Sequence, residues 1–255
     1  MQVQRYVTPL REGGSLPALA EADDGFLYVL KFRGAGQGVK ALVAELLGGE
    51  LARAGSLKIP ELVFAELDEA FGRTEPDEEI QDLLRASTGL NLGLHYLSGA
   101  VTYDIAVEQP DALLASKIVW LDALIFNVDR TARNPNMLFW RSELWLIDHG
   151  AAFFFHHNWD GREAYITKPF AQIKDHVLLP YATQLAEADA FFKNVFTEET
   201  ITRLTNALPD DWLRWPEATE TPAQIRAFYK RFLTERVAHS STFLNAADHA
   251  RLSLV

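Results

Sequence analysis

The sequence predicts an α+β fold in which a small α/β region precedes a larger, mainly helical region. Short apolar runs alternate with turn signals over the first hundred residues, and residues 39–54 carry leucine and valine at helical spacing. Beyond residue 111 the pattern is helical except for one pair of short strands. We therefore expect two lobes, with residues 1–97 in the N-terminal lobe and residues 98–255 in the C-terminal lobe.

The composition excludes several classes of protein. A chain of 255 residues that is 48% hydrophobic can bury a substantial core. Because cysteine is absent, neither disulfides nor thiolate zinc sites can form, and the net charge of −11 disfavours nucleic-acid binding. No apolar run reaches membrane-spanning length, and the first residues lack the layout of a signal peptide. We expect a cytoplasmic protein with no nucleic-acid or membrane partner.

The N-terminal lobe should contain a sheet and two helices. Apolar alternation predicts strands at residues 5–10, 18–22, 26–32 and 61–67. Asp23-Asp24-Gly25 predicts a hairpin turn between the second and third strands. The helices are expected at residues 39–54 and 73–88, the second with Thr74 as its N-cap.

The C-terminal lobe should be a set of helices interrupted by one hairpin. Residues 137–140 and 144–147 are short, apolar and separated by a turn-like Arg-Ser-Glu, so we expect them to pair as strands. Prolines interrupt the helical pattern in the remainder of the lobe. Helical patterns cover residues 111–126, 168–189, 197–207 and 221–245.

Lys31 is the first candidate for chemistry. It lies in the strand predicted at residues 26–32 and is either a solvent-facing lysine or a lysine that binds nucleotide phosphates. A glycine loop one hairpin upstream favours the second interpretation, because backbone amides without obstructing side chains can approach a phosphate closely. This loop consists of Gly13, Gly14 and Ser15.

Glu45 is the candidate partner of Lys31. It lies in the predicted helix at residues 39–54, from which its carboxylate could hold the lysine ammonium in place. Glu50 is a rival by distance alone. The glycine-rich segment at residues 34–38 is either a further phosphate loop or a flexible crossover, since it lacks the Lys-Ser/Thr that completes a Walker loop.

The segment from residue 127 to residue 150 carries the most specific chemical signal. Asp129 stands in a polar loop, and Asp148 follows the predicted hairpin. Enzymes of the protein-kinase plan use one Asp to orient the acceptor hydroxyl and an Asn plus a second Asp to hold Mg²⁺. Asn134 has the kinase five-residue separation from Asp129, whereas Asn136 directly precedes the strand, so both remain candidates for the metal ligand.

The same residues allow other interpretations. Asp129 could be an ordinary turn residue. Asp148 with nearby histidines could hold iron or zinc in an oxygenase or hydrolase, but no further well-spaced histidine supports such a site. These histidines are His149, His156 and His157, and the last two are expected to be surface or structural residues. A serine hydrolase would need a G-x-S-x-G motif, which does not occur.

Taken together, these motifs resemble those of the HipA-like kinases, a branch of the protein-kinase-like fold. The likeness covers most of the chain, in the stretches R-E-G-G-S-L-P, Y-V-L-K-F-R-G, E-L-L-G-G-E-L-A-R-A-G-S-L-K-I-P-E, N-V-D-R-T-A-R-N-P-N-M-L and L-I-D-H-G. It implies that Lys31 contacts ATP phosphates and that Asp129 is the catalytic residue. It also implies that Asn134 or Asn136 binds Mg²⁺ together with Asp148.

The resemblance has further consequences and some departures. The family's spacing from this helix to its P-E segment, here Pro60-Glu61, favours Glu45 over Glu50 as the partner of the lysine. The chain has D-R-T where many relatives have D-x-H, which affects how the acceptor is positioned. It is also much shorter than full HipA toxins, so toxin activity and an antitoxin partner are not expected to follow from the likeness.

Two hypotheses of function result. The main one is an ATP- and Mg²⁺-dependent kinase that transfers the γ-phosphoryl group to a hydroxyl acceptor, either a protein Ser/Thr or a small molecule. The alternative is a nucleotide-binding pseudokinase that acts as a partner-binding module.

Overall fold

The N-terminal part of the protein is a five-stranded antiparallel sheet with two helices. The computed structural model describes residues 1–10, 16–69 and 76–254, and its first sheet has the strand order β1-β2-β3-β5-β4. A parallel bridge between Gln2 and Glu66 links the two edge strands, so the sheet curls toward a closed shape. The elements are β1 (Val3–Pro9), β2 (Ala18–Ala22), β3 (Leu27–Lys31), α1 (Val39–Ala54), β4 (Leu62–Leu67), α2 (Glu78–Ala86) and β5 (Gly89–His95).

Burial along β3 follows the two-residue period of a strand. Tyr28 and Leu30 are buried in an apolar cluster that α2 helps to form, and Lys31 lies on the opposite face. The predicted turn before this strand is present. The N–H of Ala22 donates to the carbonyl of Phe26 at 3.1 Å, and Gly25 adopts a φ of 79° that favours glycine.

The two N-terminal helices differ in how well their ends were predicted. Helix α1 has the predicted bounds, whereas α2 begins several residues later than expected. Asp77 caps α2 by accepting hydrogen bonds from the N–H groups of Glu79 at 3.1 Å and Ile80 at 3.4 Å. The prediction that Thr74 is the N-cap is therefore wrong, and Thr74 itself lies outside the described residues.

The C-terminal part is helical apart from a three-stranded sheet, in which β7 and β8 form the predicted hairpin. Among the helices that the structure describes, none combines the length and the hydrophobicity needed to span a bilayer. The elements are β6 (Val101–Thr102), α3 (Ala112–Ile125), β7 (Met137–Trp140), β8 (Glu143–Leu146), α4 (Leu185–Val195), α5 (Glu198–Asn206), α6 (Pro222–Ala238) and α7 (Ser241–Leu252).

Two helix predictions in this part are wrong. Instead of one helix at residues 168–189, the chain forms two 3₁₀ turns before α4, at Ala171–Asp175 and Leu179–Tyr181. Pro180 removes an N–H that a continuous helix would need. The helix expected at residues 221–245 is divided into α6 and α7, because His239 leaves helical geometry with φ −111° and ψ 34°.

Helix α3 passes through the centre of the C-terminal core. Ten of its 14 residues are buried, so the helix is surrounded by other elements rather than amphipathic. Phe126 ends it in the left-handed region, with φ 53° and ψ 47°. Arg236 of α6 donates to the carbonyls of Ala123 and Leu124 at 2.8 Å, in the last turn of α3. The chain leaves this fixed end directly into the polar loop at residues 127–136, the Asp129 loop.

Candidate active site

Three separate parts of the chain meet at Lys31. The lysine Nζ atom lies 2.8 Å from Oδ1 of Asp148, which follows β8, and 3.7 Å from Oε2 of Glu45 in α1. Glu50, the rival partner, lies instead 3.2 Å from Arg53 of its own helix. The fold therefore brings together the lysine of β3, the glutamate of α1 and the aspartate beyond the hairpin.

Burial and ion pairing have opposite effects on the pKa values of the three side chains in this cluster. Burial lowers the pKa of Lys31, but the carboxylates of Glu45 and Asp148 outweigh it, so the pKa lies above its usual value. Burial raises the pKa of Glu45 above its usual value, although Lys31 opposes the change. Burial also acts to raise the pKa of Asp148, but Lys31 outweighs it and the pKa lies below its usual value. Asp148 is thus an anion at neutral pH.

Asp129 is held by the two asparagines that follow it. Its Oδ2 atom accepts from Nδ2 of Asn134 at 2.9 Å and from Nδ2 of Asn136 at 3.1 Å. Asn134 is exposed, whereas Asn136 is 7% exposed. Both amide groups point their N–H toward the aspartate, so each retains a side-chain oxygen that can accept or bind a cation.

The β7–β8 hairpin positions the second half of the site. The N–H of Ile147 donates to the carbonyl of Asn136 at 3.0 Å, which joins the residue before β7 to the segment after β8. Asn136 and Asp148 both adopt left-handed backbone conformations, with φ of 48° and 56°. Non-glycine residues rarely occupy this region, and such conformations concentrate at functional sites.

Sequence reasoning missed the group that supports the Asp129 loop. Asp122 of α3 is fully buried, and its Oδ2 atom lies 2.6 Å from Nε of Arg130 and 2.9 Å from Nε2 of His176. Its Oδ1 atom accepts from Nδ2 of Asn127 at 2.9 Å. Burial acts to raise the pKa of Asp122, but Arg130 and His176 outweigh it and the pKa lies well below its usual value. Asp122 is the one acidic residue between Ala112 and Ile125 and lies within the apolar run at residues 118–125, and this was the signal that could have identified it.

The two glycine-rich segments that the sequence offered as phosphate loops have different outcomes. The glycine loop of Gly13, Gly14 and Ser15 lies outside the described residues. Gly34, in the second glycine-rich segment, packs so closely on the end of α2 that a Cβ atom there would lie 2.8 Å from the backbone of Ala86. This close packing alone accounts for a glycine at position 34.

The histidines do not assemble a metal centre in the described part of the chain. His156 is buried, and its Nε2 atom forms a hydrogen bond with the hydroxyl of Tyr229. His157 is exposed beside Gln37. In the described ranges no group of three or more His, Cys, Asp or Glu side chains is arranged to hold a metal ion.

The fold and the cluster around Lys31 define a protein of the kinase-like class. The chain belongs to the HipA-like kinase family, whose sequence profile matches residues 3–243. The crystal structure of a Helicobacter pylori proinflammatory kinase, CtkA, has a similar fold, with a TM-score of 0.55 and 13% sequence identity over 93% of this chain and 94% of that one. No curated protein matches the chain. The predicted family and the predicted kinase-like α+β fold are confirmed.

Proposed function

We propose that this kinase uses ATP and Mg²⁺ and transfers the γ-phosphoryl group to a hydroxyl acceptor. The observation that carries the proposal is the convergence of Lys31 and Asp148, 2.8 Å apart, with Glu45 behind the lysine. Kinase chemistry requires a lysine that holds phosphates and an aspartate that holds the metal, both fixed relative to one another. The Asp129 loop supplies the remaining groups.

The residues present suit a nucleotide with Mg²⁺. Mg²⁺ is usually bound by one or two protein oxygens, with phosphate and water completing its coordination, so it does not need a dense cluster of acidic residues. Asp148 is ionised and 37% of its side chain is exposed, which leaves it accessible to such an ion. Bound Mg²⁺ would neutralise charge on the phosphates. Lys31 would bind the phosphates, and Glu45 would hold the lysine in position.

We assign the second metal-ligand role to Asn134 rather than Asn136. A protein ligand of Mg²⁺ must reach the water and phosphates that share the ion. The Asn134 side chain is exposed, whereas Asn136 is nearly buried, with its backbone carbonyl bound to Ile147. The amide of Asn136 is then chiefly a support for Asp129.

Asp129 is assigned the orienting role for the acceptor. Its Oδ2 atom is occupied by the two asparagine amides. Within the described part of the chain its Oδ1 atom has no hydrogen-bond donor and is available to an acceptor hydroxyl. A positioned carboxylate at this place can align the hydroxyl and take its proton as the phosphoryl group is transferred.

The proposal is tested by incubating the purified protein with ATP labelled at the γ-phosphate, with Mg²⁺ or with a chelator. Label should appear on the protein itself, on an acceptor in an added lysate, or as inorganic phosphate released into solution. It should appear only when Mg²⁺ is present. The Asp129→Asn variant is the matched control and should transfer little label.

Binding measurements separate the alternatives. Wild-type protein should be stabilised against heat by millimolar ATP with Mg²⁺, because a ligand that binds only the folded state raises stability. Stabilisation without any transfer would support the pseudokinase alternative. The absence of both stabilisation and transfer would overturn every nucleotide-based proposal for this chain.

A further inference from the structure

A line of buried polar side chains connects helix α1 to the loop of Asp129. Oε1 of Glu45 lies 3.9 Å from Nδ1 of His149, and Nε2 of His149 lies 3.3 Å from a terminal nitrogen of Arg130. Glu45, His149 and Arg130 are only 2%, 1% and 1% exposed. His149 therefore lies between Glu45, which is behind Lys31, and Arg130, which is beneath the Asp129 loop.

The hydrogen-bonding role of each ring nitrogen follows from its neighbours. Arginine can only donate, so Nε2 of His149 accepts from Arg130 and the ring proton resides on Nδ1. The Nδ1–H group faces the Glu45 carboxylate. A ring that carries its single proton on Nδ1 is neutral. A neutral ring with one donor and one acceptor meets both partners.

Arg130 links this line to the residues of the proposed chemistry. One terminal nitrogen of its guanidinium donates to the backbone carbonyl of Asn136, while the other contacts His149. The amide of Asn136 in turn donates to Asp129 at 3.1 Å. The position of His149 therefore affects Asp129 through two intervening residues.

Helix α1 packs against His149 without spare room. A Cβ atom at Gly48 would lie 2.8 Å from Cβ of His149 and 3.2 Å from its ring. Real Cβ contacts are not this short, so any side chain at Gly48 would displace the helix or the histidine. A shift of α1 is thus transmitted directly to His149.

We propose that His149 is a positioning residue that couples helix α1 to the Asp129 loop. By accepting a hydrogen bond from Arg130, His149 holds the arginine against the carbonyl of Asn136. Because its ring also faces Glu45, the position of His149 depends on the position of α1. The loop is then correctly placed only when α1 has brought Glu45 to Lys31. This inference deepens the proposed phosphoryl transfer and rests on it.

The test compares His149→Gln, His149→Asn and His149→Phe. Glutamine can present an oxygen to Arg130 where Nε2 stood. Asparagine is too short to reach Arg130, and phenylalanine fills the space without any polar atom. Turnover is measured as release or transfer of labelled γ-phosphate with Mg²⁺ and ATP, and nucleotide affinity by calorimetry with a non-hydrolysable ATP analogue.

We expect the variant with glutamine to retain the most turnover. The variants with asparagine and phenylalanine should lose about 10- to 100-fold in kcat, the range that small misplacements of reacting groups produce. ATP affinity should change much less, because Lys31 and Asp148 are untouched. A residue that only fills space would give the opposite order, with phenylalanine best, and that result would overturn the inference.

A second pair of variants perturbs the contact from the helix side. Gly48→Ala places a methyl group against His149, whereas a Cβ atom at Gly49 would meet the tips of the flexible side chains of Leu62 at 2.7 Å and Ile59 at 3.3 Å. Gly48→Ala should lower kcat about 10-fold or more, and Gly49→Ala should leave it within about twofold. Equal effects of the two substitutions would contradict the coupling.

Nitrogen NMR of labelled histidine distinguishes failure of this inference from failure of the proposed function. The His149 signal, assigned by its loss in His149→Gln, should show a proton on Nδ1 in protein without nucleotide. A proton on Nε2 would overturn the coupling whether or not the wild type transfers phosphate. Wild-type protein that neither binds nor turns over ATP, yet shows the Nδ1 proton, would remove the catalytic purpose of the coupling and with it the inference.

Discussion

At the scale of single residues, the stability of the protein depends on how Lys31 and Glu45 neutralise each other. Glu45 is 2% exposed and the Lys31 side chain 12% exposed, so removal of the lysine leaves the buried carboxylate of Glu45 without its counter-ion. We predict that Lys31→Met lowers the free energy of unfolding by about 3 kcal/mol, as loss of one member of a buried ion pair does. The measurement is urea unfolding without nucleotide.

The double variant provides the control for that prediction. Lys31→Met with Glu45→Gln should be less destabilised than the sum of the single variants by ~1 kcal/mol or more, because the buried charge is then gone. Lys58→Met, which removes an exposed ion pair to Glu143 at 3.2 Å, should change stability by ~1 kcal/mol or less. Additive losses at Lys31 and Glu45 would show that they do not interact energetically.

Asp129 and Asp148 should differ in what their loss affects. Asp129→Asn should lower turnover by ~10²–10⁴-fold, the range for a positioned general base, with little change in the affinity for ATP and Mg²⁺. Asp148→Asn should weaken Mg²⁺-dependent binding as well as turnover, since it removes the carboxylate that we propose as a metal ligand. Calorimetry beside a turnover assay measures both effects. Equal losses of affinity would mean that Asp129 is itself a metal ligand.

Substitutions of Asn134 and Asn136 should also have different effects in the same measurements. Asn134→Ala should reduce Mg²⁺-dependent nucleotide affinity, because the exposed amide oxygen is assigned to the ion. Asn136→Ala should chiefly lower kcat, because its amide supports Asp129 at 3.1 Å. The dependence of binding on Mg²⁺ concentration is the deciding measurement. A larger Mg²⁺ effect for Asn136→Ala would reverse the assignment.

At the scale of secondary-structure elements, the end of α3 depends on Arg236 of the distant helix α6. The buried guanidinium donates to carbonyls of α3 and to Tyr165 at 3.0 Å and Lys168 at 2.9 Å. We predict that Arg236→Met destabilises the protein by ~3 kcal/mol or more, because several buried carbonyls lose their donor. Thermal and urea unfolding should both show this loss.

A neighbouring arginine on the same helix is the matched control. Arg231 is half exposed and pairs with Glu163 and Glu235 at the surface. Arg231→Met should therefore change the free energy of unfolding by ~1 kcal/mol or less. Similar losses for the two variants would mean that the carbonyls of α3 find other donors when Arg236 is removed.

The elements also show where local sequence patterns suffice. Helix α1 has the predicted bounds because its apolar spacing and the preceding Gly38, with φ 64°, both act within a few residues. The region at 168–184 does not form the predicted helix. There Arg130 and Val177 form a backbone hydrogen bond at 3.1 Å, and Thr131 bridges to His176. Contacts with the Asp129 loop thus replace the hydrogen bonds that a helix would have made.

At the scale of the whole molecule, buried histidine makes stability depend on pH. Burial, with Lys40 and His157 acting in the same direction, lowers the pKa of His156 to about 3. In the unfolded chain its pKa is about 6.5. The unfolded state therefore binds the proton first, so the contribution is fully present above pH 6.5 and is lost as the pH falls toward 3.

We predict that His156→Gln flattens this dependence. Between roughly pH 5.5 and 4 the slope of unfolding free energy against pH should fall by about 1.4 kcal/mol per pH unit, the value for one proton. Above pH 7.5 the wild type and the variant should have parallel profiles, which serves as the internal control. An unchanged slope at low pH would mean that His156 is protonated in the folded protein.

The sequence by itself determined the kinase-like α+β class, the family, most strands and helices, and the order of candidate residues along the chain. The family and the kinase-like class followed from the resemblance of the ordered motifs to those of the HipA-like kinases. The strands and helices depend on periodicity and on turn and capping residues, whose effects reach only a few positions. The separation of Asp129, Asn134 and Asp148 could be recognised for the same reason, since it is a spacing within one segment.

Only the tertiary structure decided which of these residues meet. Lys31 and Asp148 are 117 positions apart, and nothing in the local pattern around either one specifies the 2.8 Å contact between them. The buried Asp122, the role of Arg130 beneath the loop and the place of His149 against Gly48 also arise from packing of distant elements. Such contacts are set by the closure of the whole core, because burial makes an unpaired charge costly and so selects the partners that fit.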